Sequence, residues 1–214
     1  MNNYQLSIDN YQLPKGYKQT EVGVIPEDWE YDSLQDKLTL ISGRHILSAN
    51  YNSEGTEQPY LTGPTDFERG KSEVSKWTTE KGVEAESGDI LVTVKGSGAV
   101  NSFRLDIDRA VISRQLMALR GKEDLCQEYL FSIFREKERD LASQAIGNLI
   151  PGLARKDILS LKVLLPPPPE QRAISTVLSD MDAEIAALEA RRAKIQAIKQ
   201  GMMQELLTGR TRLV

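Results

Sequence analysis

Residues 95 to 122 carry six basic side chains, Lys95, Arg104, Arg109, Arg114, Arg120 and Lys122, against two acidic ones, Asp106 and Asp108, a local excess of +4. The 214-residue chain as a whole has a formal net charge of −4. Bulk positive charge is therefore not available to coat a polyanion, but a local positive patch is compatible with an acidic total. Bond-making chemistry finds less support. One histidine, His45, and one cysteine, Cys126, are too few soft ligands for a zinc or iron–sulfur site, and no disulfide can form within the chain. Nothing near His45 resembles a catalytic triad. The "GSG" at 96–98 lacks the third glycine and the βαβ setting of a nucleotide-binding fingerprint, and no P-loop occurs. No catalytic residue, metal-ligating set or cofactor-binding motif is identified in this chain.

The elements that must position these residues follow from periodicity and turn signals. A hydrophobic content of 40% over this length supports a real core. Residues 1–16 are polar and aperiodic and read as a flexible arm, without the apolar core of an export signal, and no stretch approaches membrane-spanning length. A cytoplasmic, reducing location fits. Residues 17–37 read as an extended lead-in anchored by a buried Trp29, then a short helix or turn. The runs "LTLISG", "PYLTG", "DILVTVKG" and "RAVISRQLMALRG" are short, apolar or alternating, and closed by glycine, which predicts strands of a small, mainly antiparallel sheet. Leu125, Tyr129, Leu130, Ile133, Phe134 and Leu141 fall at helical spacing, so a helix over 124–143 packs on that sheet. "ILSLKVLL", 158–165, returns as a strand. The expected class is α+β, with one globular domain over 17–165.

Beyond four consecutive prolines the period changes. Ile174, Met181, Leu188, Ile195 and Met202 recur every seven residues, with Leu178, Ile185, Ile198 and Leu206 beside them, which is a coiled-coil seam. A helix over 170–207 would be roughly 57 Å long at about 1.5 Å per residue, too long for its own domain to cover, so it requires a partner helix. Residues 166–189 sum to −4 and residues 190–214 to +5. Parallel copies would set like charge beside like, whereas antiparallel copies set opposite halves together. The helix macrodipole favours the same polarity, but it does not reach Arg191, Arg192 and Lys194 in mid-helix. The expectation is an antiparallel homodimer whose axis crosses near Leu188, built on a proline hinge and helix over 166–214. The prolines stiffen the joint and are tolerated in a first helical turn.

Several pieces together resemble a known family: "GVIPEDWE" at 23–30, "GDILVTVKGSG" at 88–98, "AVISRQLMAL" at 110–119, "IPGLARKDILSLKVLLPPPPEQRAISTVLSDMDAEI" at 150–185 and "MMQELLTGRTR" at 202–212. In order and spacing the chain resembles one half of the specificity subunit of type I restriction-modification systems. That resemblance implies a target-recognition domain that reads a short DNA half-site and a spacer helix that pairs antiparallel as a ruler. It implies no catalysis by this chain, in keeping with the absence of an Asn/Asp-Pro-Pro-Tyr/Phe methyltransferase element. The implied partners are double-stranded DNA, a second copy, and methyltransferase and restriction subunits; S-adenosylmethionine, ATP and magnesium would reside only on those partner subunits.

Base readout needs paired donors and acceptors, such as Arg toward guanine and Asn or Gln toward adenine, with Lys and Arg on phosphates. The candidates lie in polar loops: Lys95, Ser97, Asn101 and Arg104; Ser113, Arg114 and Gln115; Arg44 and His45; Arg69, Lys71 and Lys76. Each alone could equally be a solvated surface group. A single domain per chain implies inverted, identical half-sites, hence a bipartite palindromic target. The alternative is a coiled-coil adaptor that binds protein without DNA readout, which the acidic total allows.

Overall fold

A computed structural model describes residues 13–68, 70–95, 100–146 and 152–213. The chain divides into two compact units, Met1–Arg172 and Ala173–Val214. The first opens with strands β1 (Tyr17–Thr20), β2 (Gly23–Pro26), β3 (Glu30–Ser33) and β4 (Leu38–Ser42). Short strands follow, β5 (Tyr51–Asn52), β6 (Gln58–Leu61), β7 (Phe67–Glu68), β8 (Lys71–Ser72) and β9 (Trp77–Thr78). Then come β10 (Glu84–Glu86), β11 (Ile90–Thr93), β12 (Ser102–Arg104), β13 (Arg109–Ile112), β14 (Leu116–Gly121), helix α1 (Gln127–Ile146), helix α2 (Arg155–Leu159), β15 (Lys162–Leu165) and helix α3 (Pro168–Leu207).

The expected single sheet is divided. One four-stranded sheet runs β12-β11-β14-β4 and a five-stranded one runs β10-β13-β6-β9-β5, with β1-β2, β15-β3 and β7-β8 as two-stranded ribbons. All pairings are antiparallel except β13 with β6, where Val111 lies beside Tyr60 and Ile112 beside Leu61. The apolar run 109–121 therefore serves two sheets, β13 in one and β14 in the other, with the change made at Ser113–Gln115. The core lies where these sheets meet. Leu61, Leu91, Ile112, Leu116 and Ala118 are fully buried there, and Phe67 stacks on Phe103 with ring centroids 4.2 Å apart. Burial of this kind drives the fold: truncating such a leucine costs about 2–5 kcal/mol.

Two local expectations need correction. Trp29 is half-buried rather than buried, because its indole N–H reaches outward to Glu170 Oε2 at 2.9 Å. The run 158–165 is a strand only over Lys162–Leu165; its start completes α2, whose first turn is closed by Asp157 accepting the Ala154 N–H at 2.8 Å. The helical face of α1 is as read, with Leu130, Phe134 and Leu141 fully buried. At the N-terminal end, Pro14 and Gly16 already accept backbone hydrogen bonds from Tyr17 and Glu27. Residues 1–12 of the expected arm lie outside the described residues.

In the second unit α3 continues to Leu207, for 40 residues in all from Pro168. The helix thus begins inside the proline run, two residues before the position expected, which proline's fixed φ and redundant N–H allow in a first turn. Arg172 marks the end of the first unit, so the opening turn of α3 belongs to the globular part.

Candidate nucleic-acid interface

The turn between β13 and β14 is held rigidly and turns two polar side chains outward. Ser113 N–H donates to Leu61 O at 2.9 Å, its hydroxyl donates to Thr62 O at 2.8 Å, and the same hydroxyl accepts the Gln115 N–H at 3.1 Å. Ser113 is buried, whereas Arg114 and Gln115 are exposed. Behind the turn, Gly43 is required by close approach: a Cβ there would stand 2.1 Å from Ser113 O. That contact seats Arg44, whose backbone N–H donates to Ile112 O at 3.0 Å, and so fixes His45 beside the turn. The neighbouring loop is locked by buried Asp66, which accepts from Thr62 N–H, from Thr62 Oγ1 at 3.0 Å and from Gly63 N–H at 3.1 Å. Groups held this way lose little entropy on binding.

These segments enclose a cleft of about 280 Å³ whose polar rim is His45, Lys76, Ser113, Arg114 and Gln115. Five side chains chosen from three separate stretches of sequence are thereby brought together. Its aromatic side is Tyr51 and Tyr60, with ring centroids 5.5 Å apart. Lys76 lies 5.9 Å from the Tyr51 ring and donates to Thr62 Oγ1 at 3.1 Å. Burial pushes the Tyr60 phenol above its ordinary value, against the opposing hydrogen bond from the Ile46 N–H at 3.3 Å, so it stays neutral. Tyr51, Tyr60, Thr62 and Asp66 were not anticipated as parts of the site. The one signal for Tyr60, Thr62 and Asp66 was "PYLTGPTD", an apolar strand running into a glycine–proline turn that ends in an acidic side chain, and Tyr51 lies outside it.

The remaining candidates stand elsewhere. Arg44, Lys71, Lys95, Asn101 and Arg104 do not line this cleft. Arg44 binds Glu80 at 3.4 Å and the Lys81 carbonyl at 3.2 Å; Arg104 binds Glu128 at 3.0 Å. Lys95 is exposed and forms a bridge with Gly152, and the backbone N–H of Asn101 donates to Thr93 Oγ1 at 2.8 Å. Lys71 is exposed on β8. Arg69 and Ser97 lie outside the described residues.

The linear positive run is likewise dispersed by folding. Arg109 pairs with Glu84 at 3.2 Å, and Arg120 holds buried Asp89 through two hydrogen bonds of 2.8 Å while also reaching Glu86 at 3.0 Å. Arg114, by contrast, has no ion pair among the described residues. Of the quoted motifs, that at 110–119 supplies Ser113, Arg114 and Gln115 to the cleft, whereas Gly152 and Arg155 of the 150–185 stretch hold the frame. Gly152, at φ +155°, passes so close to Val94 O that a Cβ would stand 2.6 Å away. Arg155 clamps Leu40 O at 3.0 Å and Ser42 Oγ at 2.8 Å.

Along α3 the heptad positions Leu178, Met181, Ile185, Leu188, Ile195, Ile198 and Met202 are between 41% and 56% exposed, and Ile174 and Leu206 are half-buried. Toward its end Ile195, Ile198, Met202, Met203, Leu206 and Leu207 line an open apolar groove. Among the described residues no group of three or more His, Cys, Asp or Glu could hold a metal ion, and no helix is long and apolar enough to cross a membrane.

Small packed sheets with an outward-facing polar turn, followed by a long helix with an apolar stripe, are the fold of a type I specificity subunit. A chain from a structure of type I R-M system assembly and conformational transition superposes with a TM-score of 0.76 at 26% identity, over 84% of this chain and 45% of that one. The HsdS subunit from Thermoanaerobacter tengcongensis gives 0.70 at 24% identity, over 89% and 47%, a likeness of fold. Residues 26–199 match the type I restriction modification DNA specificity domain, and the chain belongs to that family. It is 31% identical over 205 residues to the type I restriction enzyme MjaVIII specificity subunit of Methanocaldococcus jannaschii, covering 94% of this chain and 47% of the relative. The EcoDI specificity subunit of Escherichia coli is 23% identical over 187 residues, covering 87% and 38%. The chain spans about half the length, or less, of the curated relatives it matches.

Proposed function

We propose that this chain is the DNA-reading half of a type I restriction-modification specificity subunit, and that it works as a pair of identical copies. The observation that carries the reading is the match to about half of each relative's length, combined with a rigid cleft that leaves Arg114, Gln115 and His45 outward-facing at one place. The cleft meets duplex DNA, Arg and Gln toward base edges and Lys76 toward phosphate. Two copies pair antiparallel through α3, each laying its acidic half along the other's basic half. Methyltransferase and restriction subunits, which bring S-adenosylmethionine, ATP and magnesium, are directed to the site; this chain performs no catalysis.

Two-fold pairing makes the half-sites identical and inverted. Sequencing of methylated bases in cells carrying this chain with its methyltransferase should show a bipartite palindrome; an asymmetric motif would overturn the self-pairing. DNA affinity of the purified chain should fall steeply with salt, linear in log–log form, as phosphate neutralisation requires. Affinity without salt dependence would favour a protein-binding adaptor instead.

A further inference from the structure

Beside the Ile174–Met181–Leu188–Ile195–Met202 line of α3 runs a second row at the same seven-residue spacing: Val177, Glu184, Arg191 and Ile198. All four are exposed, Val177 at 60% and Ile198 at 52%, although Val177 lies outside the seam expected from sequence. In the chain alone neither Glu184 nor Arg191 forms a salt bridge among the described residues. The row reads apolar, acidic, basic, apolar. Turned end for end, it is its own complement.

We infer that this row sets the register of the antiparallel pair: Glu184 of one copy meets Arg191 of the other, and Val177 meets Ile198, which puts the two-fold axis between Ala187 and Leu188. The inference rests on the self-pairing proposed above and adds to it the alignment. Positions flanking a coiled-coil seam choose partner and orientation through charge. Each competing alignment brings like charge together or strands a charge against an apolar residue. In a parallel pair the acidic half of one helix, with Glu184, lies along the acidic half of the other, and the basic half, with Arg191, along the basic half. Sliding an antiparallel pair by one heptad in one direction sets Glu184 against Glu184 and Val177 against Arg191. The opposite slide sets Arg191 against Arg191 and Glu184 against Ile198. The row continues to Glu170 and Glu205, which meet as like charges in the inferred register, but each already has a partner in its own chain, the Trp29 indole N–H at 2.9 Å and Arg210 at 3.3 Å.

Register matters here because a one-heptad slip shortens or lengthens the ruler. The occupant of this face is accordingly a second copy of this chain and not an arbitrary apolar helix.

The test uses the full chain and its monomer–dimer equilibrium by sedimentation over a range of concentrations. E184R alone and R191E alone should each weaken dimerisation by about tenfold or more, since each turns two attractions into two repulsions. The double variant E184R/R191E should return close to the parent value. A Cys126→Ser background carrying V177C, mixed with one carrying I198C, should cross-link V177C to I198C in preference to either like pair. Single variants that dimerise as the parent does, or a double variant that stays weak, would sink the register assignment while leaving self-pairing intact. Cross-linking of V177C to V177C would do the same by showing parallel helices. A parent chain that remains monomeric at high concentration would overturn both.

Discussion

Gln171, in the first turn of α3, accepts the backbone N–H of Cys126 at 2.8 Å, while its amide N–H group donates to Asp124 O at 2.9 Å and Pro166 O at 2.8 Å. It is 1% exposed. A buried polar side chain is tolerated only when its bonding capacity is met, and here one amide satisfies three backbone groups at the start of α1 and at the proline run. The stiffness expected of four prolines is thus completed by a side chain that fastens the opening turn of the long helix to its own domain.

Replacing it exposes that dependence. Gln171→Ala leaves three backbone groups, that of Pro166 buried, without their side-chain partner and should lower stability by roughly 1–3 kcal/mol. Urea denaturation of the full chain measures this as a lower midpoint at unchanged slope. A midpoint equal to the parent's would show that water replaces the amide.

The Asp89–Arg120 clamp makes a second prediction. Asp89 is buried, accepts both arginine bonds at 2.8 Å, and its Oδ2 also accepts the Glu86 N–H at 2.9 Å. Asp89→Ala removes the acceptor and leaves Arg120 facing a cavity, costing about 3 kcal/mol. The check is the thermal midpoint, which should fall by several degrees or more.

For the cleft, Arg114→Ala and Gln115→Ala should each cost about 1–3 kcal/mol of discrimination at one base position. Lys76→Ala should weaken all sequences alike and flatten the salt dependence by about one counterion. Arg44→Ala and Arg104→Ala, which remove arginines already paired in the fold, should change specificity little. Competition between target and nonspecific duplexes distinguishes these outcomes.

Acid should weaken one contact selectively. The Cys126 thiol donates to Glu128, its backbone N–H and Arg104 add to this, and together they hold the Glu128 carboxyl below its ordinary value of 4.5 despite some burial. A depressed folded value contributes stability that is complete above the ordinary value and disappears as pH falls through the lowered one. Glu128→Gln should therefore be less stable than the parent at neutral pH, with the gap closing in denaturation midpoints as pH falls from the ordinary carboxylate value through the lowered one. A gap independent of pH would contradict the ionic contribution.

The ruler can be lengthened directly. Seven residues inserted near Leu188 add about 10 Å of helix, so the spacer between methylated half-sites should grow by roughly three base pairs. An unchanged spacer in methylated-base sequencing would remove the ruler.

Local periodicity made much of the architecture legible. The strand at 90–93, the face of α1 and the stripe of α3 each depend on residues a few positions apart, whose relation is set by backbone geometry alone. The family motifs were legible too, and within them Gly152, Arg155 and Asp89 make contacts that hold the frame. The charge excess over 95–122 was misleading for a physical reason. Arg104, Arg109 and Arg120 each find a carboxylate brought close by sheet pairing or helix docking, and a paired guanidinium contributes little to an outward field.

The amino-acid order by itself determined that the chain has a globular α+β part and a long helix with an apolar stripe and opposed charge, because those properties are periodic or additive along the chain. Only the tertiary structure decided which polar residues share one cleft. Parallel pairing of β13 with β6, the close pass of Gly43 behind Ser113 and the Asp66 lock bring His45, Lys76, Arg114 and Gln115 to one cleft. Long-range pairing selects those neighbours, and spacing along the sequence carries no record of it.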